Sequence, residues 1–112
     1  MANANSKPII AYVADPMCSW CWAFSPHITT LRDQFSGQID FQLVAGGLRS
    51  FTTPMSTQDA ARLGHYWQGV MERSGQRFNT AFSPPPGFAY NTEPACRALV
   101  CVRELNAGLQ FA

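Results

Sequence analysis

The chain has 112 residues, 46% hydrophobic and 13% charged, with eight Lys and Arg against seven Asp and Glu for a formal charge of +1 at pH 7. That is one modest domain, apolar enough to bury a core and to exclude disorder. Its basic residues form no stripe that would neutralise phosphates, which excludes nucleic acid as a partner. Its longest mainly apolar stretches, such as Ile9 to Ala14, fall far short of the ~20 residues of a membrane span.

Residues 1–7 show no charged region leading into an apolar one, so no secretory signal is read and a cytoplasmic location is expected. In a reducing compartment, four cysteines point to redox chemistry, metal binding or burial rather than to structural disulfides.

Pro8 to Val13 is a short apolar run with β-branched members, bounded by Lys7-Pro8 and Asp15-Pro16, and reads as a buried strand. From Cys18 to Phe35, the positions Trp22, Ile28, Leu31 and Phe35 fall near helical spacing and Gly37 follows as a stop. This predicts a helix, kinked or restarted at Pro26. Ile39, Phe41 and Leu43 then alternate with Asp40, Gln42 and Val44 before Gly46-Gly47, the pattern of a second strand. Strand, helix and strand within about forty residues make a βαβ unit with parallel strands.

Beyond Gly46-Gly47 the pattern turns helical. Ser56-Thr57-Gln58-Asp59 resembles a capping box, and Ala60, Leu63, Tyr66, Trp67, Val70 and Met71 trace an apolar face up to Gly75. Pro84-Pro85-Pro86-Gly87, flanked by Phe82 and Phe88, reads as a stiff loop. A third helix is expected from Thr92, with Glu93 and Pro94 in its first turn, to near Gly108. Two parallel strands leave open edges, so the sheet is expected to be completed by further chain or by another molecule.

The chemistry concentrates at Cys18-Ser19-Trp20-Cys21, directly after the first strand and at the start of the first helix. In that place a C-x-x-C pattern carries a redox reading. The free N–H groups and positive dipole end of the helix favour a thiolate at Cys18, lowering its pKa for attack on a disulfide. Cys21, one turn further, is placed to resolve the mixed disulfide. Ser19 and Trp20 are the candidate substrate contacts, with Trp20 expected exposed and Trp22 buried. The competing readings are half of a zinc site or a pair of inert thiols. Zinc would draw its other ligands from Cys96, Cys101, His27 and His65, but Cys96 and Cys101 lie about 140° apart around a helix axis. No metal or organic cofactor is therefore expected. Cys96 and Cys101 are expected as buried small apolar residues and His27 as an exposed helix residue. His65 is expected to pack with Tyr66 and Trp67, and Arg49 to lie on the surface with the option of meeting a ligand carboxylate.

Three blocks carry a resemblance: Asp15-Pro16-Met17-Cys18-Ser19-Trp20-Cys21-Trp22-Ala23-Phe24-Ser25-Pro26, Gly46-Gly47-Leu48-Arg49, and Asn91-Thr92-Glu93-Pro94-Ala95-Cys96-Arg97-Ala98. Along nearly all of its length the chain resembles the DsbA-like thioredoxin-fold family, in the cytosolic branch related to FrnE-type disulfide isomerases and hydroxychromenecarboxylate isomerases. The resemblance implies an α/β fold: residues 1–50 as the N-terminal βαβ half of a thioredoxin-like domain, residues 51–112 as part of a helical insertion domain, and a sheet incomplete in this chain. It also implies thiol–disulfide oxidoreductase or isomerase activity, with Cys18 attacking and Cys21 resolving. The isomerase relatives usually carry Ser at the first position, so Cys at both favours disulfide chemistry. The implied partner is a disulfide-containing protein or a small thiol such as glutathione. The family continues into a cis-proline loop, two antiparallel strands and a final helix, so the chain reads as an N-terminal half, with a homodimer by edge association as one way to extend the sheet. The alternatives are a non-catalytic interaction module and a glutathione-dependent isomerase relative.

Overall fold

The structure is a computed structural model and describes residues 6–106. Its elements in chain order are β1 (Ile9–Ala14), α1 (Ser19–Gln34), β2 (Asp40–Ala45), α2 (Thr57–Ser74) and α3 (Glu93–Leu105). The strands pair in parallel, with Ile10 beside Phe41, Tyr12 beside Leu43 and Ala14 beside Ala45. Helix α1 forms the crossover of the expected βαβ unit. The ladder is extended at its ends by Asp40 N–H on Pro8 O at 2.9 Å and Gly46 N–H on Ala14 O at 2.7 Å.

Strand β1 is not buried on both faces as the apolar run suggested. Ile10, Tyr12 and Ala14 turn inward, whereas Ile9 and Val13 are 60% and 61% exposed. A strand is covered on both faces only when layers lie on both. Here Tyr12 meets Phe24 of α1 at 5.9 Å between ring centroids on one side. The apolar face bearing Ile9, Val13 and Val44 is largely open among the described residues. The sheet has two strands and is incomplete. The extended shape follows: the radius of gyration is 16.8 Å, against about 13 Å for a compact chain of this length.

Of the kink or restart expected at Pro26, the restart does not occur: helix α1 runs continuously through that residue. Proline has no N–H to give the carbonyl one turn back. That carbonyl, on Trp22, accepts instead from the Ser25 hydroxyl at 2.7 Å and from the Gln76 side-chain amide at 3.1 Å. Helix α2 opens with the anticipated capping box: Asp59 N–H on Ser56 Oγ at 3.0 Å, and Ser56 N–H on Asp59 Oδ2 at 3.2 Å. It closes at Gly75, whose φ of 73° is readily reached only without a Cβ. Helix α3 stops at Leu105, short of the expected end near Gly108, which lies outside the described residues.

The segment between α2 and α3 folds back over α2. Trp67 meets Phe78 at 5.4 Å and Phe82 at 5.8 Å, and Met55 N–H reaches Phe88 O at 2.6 Å. His65 is exposed and stays out of this aromatic cluster. Successive helix residues point about 100° apart, so a neighbour of Trp67 need not share its face. Two tryptophan N–H groups tie α1 to α2 and to the segment after it: Trp67 Nε1 of α2 donates to Ser19 Oγ, and Trp22 Nε1 to Arg77 O, each at 2.8 Å. The start of α3 is held against the loop after β2 by an antiparallel bridge between Ser50 and Asn91.

Removing the cap of α2 tests the local account: Ser56→Ala is expected to cost about 1 kcal/mol and Ser56→Gly only a few tenths, read from urea midpoints.

Candidate functional site

Strand β1 delivers the chain into Asp15-Pro16-Met17, where Cys18 N–H donates to Asp15 O at 3.1 Å and closes a turn. Cys18 is the N-cap of α1, with φ −84° and ψ 124°, and its side chain makes no capping hydrogen bond. The sulfur is therefore not engaged with the helix amides. Cys18 and Cys21 are both free thiols of intermediate burial. Cys21 lies close to the Cys18 thiol, the Tyr12 hydroxyl from β1 and the main chain of Asp15. Burial pushes the Cys21 thiol up; the Asp15 main chain and Tyr12 hydroxyl oppose this, Cys18 adds to it, and the net shift is upward. The Tyr12 hydroxyl is pushed up to about 12, by burial first and then by the two cysteines. Two thiols so placed are able to pass between dithiol and disulfide.

Beneath this turn lies a residue to which the sequence reading gives no role in the site. Asp15 is fully buried. Its Oδ1 accepts Met17 N–H at 2.8 Å, and its Oδ2 accepts Leu48 N–H at 3.1 Å and the Cys96 thiol at 3.5 Å. Burial pushes its carboxyl up, but hydrogen bonds from Thr92, Met17, Leu48 and Cys96 outweigh that and hold it below the ordinary value of 3.8. Thr92, also fully buried, fixes the next residue of the loop. Its N–H donates to Arg49 O at 2.9 Å and its hydroxyl accepts Arg49 N–H at 3.2 Å. The available signal for Asp15 was an acid in an otherwise apolar segment, the sole acidic residue before Asp33.

Two cavities meet at Cys18 and Ser19. One, of about 330 Å³, is of mixed character, with Asp15, Arg49, Tyr90 and Thr92 beside Leu48 and Phe51; the other, of about 340 Å³, is walled by Trp22, Trp67, Phe78, Phe82 and Phe88. Tyr90 stands between them, its hydroxyl donating to Met17 O. Ser19 thus lines both cavities, its hydroxyl accepting the Trp67 indole N–H. Trp20 is 40% exposed, as expected, but lines neither. Trp22, expected to be buried, is 50% exposed and forms part of the aromatic wall. Its indole N–H needs the carbonyl of Arg77, and reaching that acceptor draws the ring outward.

His27 is exposed beside Phe24, at 5.8 Å between ring centroids. Cys96 is buried as expected; Cys101 is exposed, because five positions along α3 carry it off the packed face. Among the described residues, no group of three or more His, Cys, Asp and Glu is placed to hold a metal ion. No described helix is long and apolar enough to cross a membrane.

Comparison with solved structures places this geometry. A crystal structure from Nitrosomonas europaea, provisionally described as a protein disulfide isomerase, is 39% identical with a TM-score of 0.81, covering 95% of this chain and 50% of the other. Two structures of the cytosolic disulfide reductase DsbM from Pseudomonas aeruginosa, one of them with GSH, share the fold at TM-scores of 0.67 and 0.68. They are 22% and 23% identical, covering 92% of this chain and 50% and 49% of theirs. The chain thus spans about half the length of the solved structures it matches. No family model and no curated protein matches it.

Asp15→Ala leaves the Met17 and Leu48 amides without their acceptor and is expected to cost about 3 kcal/mol at neutral pH, by urea unfolding. The pH dependence has a definite sign. A carboxyl lower in the folded than in the unfolded state stabilises fully above its unfolded value, and that stabilisation is lost as pH falls through the folded one. Between about pH 5 and pH 3, wild-type stability is therefore expected to fall more steeply than that of Asp15→Asn. Equal slopes in the two proteins would show that Asp15 contributes nothing to this dependence.

Proposed function

We propose that this chain, which fits the N-terminal half of a DsbA-like thioredoxin-fold protein, carries the dithiol of a thiol–disulfide oxidoreductase. Cys18 is the attacking residue: a thiolate there sits at the positive end of the α1 dipole, with its side chain making no bond to the helix amides and the residue lining both cavities. It attacks a disulfide R–S–S–R, forming a Cys18–S–S–R mixed disulfide and releasing one thiolate, which takes up a proton. Cys21 then attacks the Cys18 sulfur, displacing the second thiolate and leaving a Cys18–Cys21 disulfide. The substrate is thereby reduced by two electrons and the chain oxidised by two. The reverse sequence oxidises a dithiol.

The observation that carries this reading is the closeness of the Cys18 and Cys21 thiols at the first turn of α1. The Tyr12 hydroxyl and the Asp15 main chain, both close to Cys21, steady that sulfur for its attack on the mixed disulfide. Trp20 offers an exposed apolar surface between the two thiols, while Ser19 shapes the floor shared by the cavities. The substrates are protein disulfides or small thiols such as glutathione, the latter supported by the DsbM structure with GSH. The cytosolic description of DsbM supports a cytoplasmic location. The segment from residue 51 onward is the start of a helical insertion that supplies the cavity walls opposite Cys18.

Exchange with a small disulfide is expected to be abolished in Cys18→Ser, whereas Cys21→Ser is expected to stall as a mixed disulfide visible by intact mass. Undiminished exchange in Cys18→Ser would sink the assignment. Sustained insulin reduction by the chain would exclude a non-catalytic interaction module. Absence of reduced-glutathione binding by calorimetry would remove the third reading, since a glutathione-dependent isomerase must bind it.

A further inference from the structure

Arg49 has no part in the exchange steps, yet it lines both the cavity at Cys18 that holds Asp15 and an adjoining cavity of about 690 Å³. Its main chain is held by Thr92 on the N–H and the carbonyl alike. Its charge lies 4.7 Å from the centroid of the Tyr90 ring and 5.8 Å from that of Phe51. Stacking on aromatic faces fixes a guanidinium while leaving its fork of N–H groups open to a carboxylate.

The charged residues lining these cavities are Asp15, Arg49, Asp59 and Arg62. Asp15 is fully buried and its oxygens are occupied by Met17, Leu48 and Cys96. Asp59 is engaged with Arg62 at 3.6 Å and with the cap of α2. Among the described residues, no carboxylate forms an ion pair with Arg49. A solvent-facing cation, oriented by its neighbours and left without an anion, therefore borders a cavity that Cys18 also lines.

Resting on the exchange reading above, we propose that Arg49 is a specificity-determining residue that seats a carboxylate of the incoming disulfide, so that the site prefers anionic small disulfides to neutral or cationic ones. The covalent steps are those already written. Arg49 forms no bond in them and acts by placing the substrate's sulfurs at Cys18.

Two experiments on the chain separate this inference from the reading beneath it. In the first, exchange rates are compared for dithiodiglycolate, hydroxyethyl disulfide and cystamine, which are anionic, neutral and cationic, each normalised to its rate with free cysteine. The order anion, neutral, cation is expected, with steps of about twofold to fivefold, the range of an exposed ion pair. In Arg49→Gln the steps are expected to collapse, and in Arg49→Lys to survive in part. Equal steps in wild type and Arg49→Gln would overturn the proposal.

The second experiment needs no turnover. Alkylation of Cys18 by iodoacetate and by iodoacetamide, read by peptide mass, gives a rate ratio to set against free cysteine. That ratio is expected to be raised in the wild type and to fall in Arg49→Gln. If no disulfide exchanges but the ratio behaves so, the exchange reading fails and the anion seat stands. If exchange proceeds with an unchanged ratio and no charge preference, the reverse holds. Alkylation of buried Cys96 reports any loss of fold in the variant. In that event salt decides on the wild type alone: raising it from about 0.1 M to about 1 M shortens the screening length from about 10 Å to about 3 Å and must abolish the raised ratio.

Discussion

A buried carboxylate organises this half-fold. Taking an ionised group out of water costs several kcal/mol unless hydrogen bonds replace the lost solvation. Asp15 obtains them from parts of the chain that are far apart in sequence: the turn before α1, the loop after β2 and the start of α3. Satisfying it therefore requires these parts to converge at the C-terminal end of the sheet. Thr92 extends the arrangement by clamping Arg49. The place where the thiols stand is thus fixed from below, with the Asp15 carboxylate bonded to Met17 N–H and its carbonyl to Cys18 N–H.

Above that floor the site is two-sided. Cys18 and Ser19 lie between a cavity that holds Asp15 and Arg49 and one walled by aromatic rings, and Tyr90 forms part of both walls. The two faces come from different segments. The loop after β2 supplies the cation, and the segment after α2 supplies most of the aromatic rings. Cys18 lies at the boundary rather than within either space.

Much of this was legible in the sequence because local patterns carry it. An apolar run pointed to β1, alternation to β2, and the Ser56 to Asp59 box to the start of α2. The misreadings share a physical cause. Trp22 was taken for core because apolar bulk suggests burial, whereas the carbonyl of Arg77 decides where its N–H must go. Asp15 was passed over because its partners come from remote segments, and no local pattern announces a buried acid. His65 was assigned to the aromatic cluster from adjacency alone, while helix geometry places it on another face. The open face of β1 was unforeseen because an apolar run shows that a strand tolerates burial, not that a layer is present to cover it.

Pro26 has an effect beyond the helix that contains it. By withholding one donor it leaves the Trp22 carbonyl available, and Gln76 binds there while the Trp22 indole binds the neighbouring Arg77. Residues 76 and 77 thus grip the same tryptophan at its main chain and its side chain. This acts as a rotational lock: α1 cannot swivel about its axis without dragging the aromatic segment along. The angle at which the Cys18 sulfur faces the aromatic wall is therefore set by a hydrogen bond that the helix, for want of one proton, was unable to keep for itself.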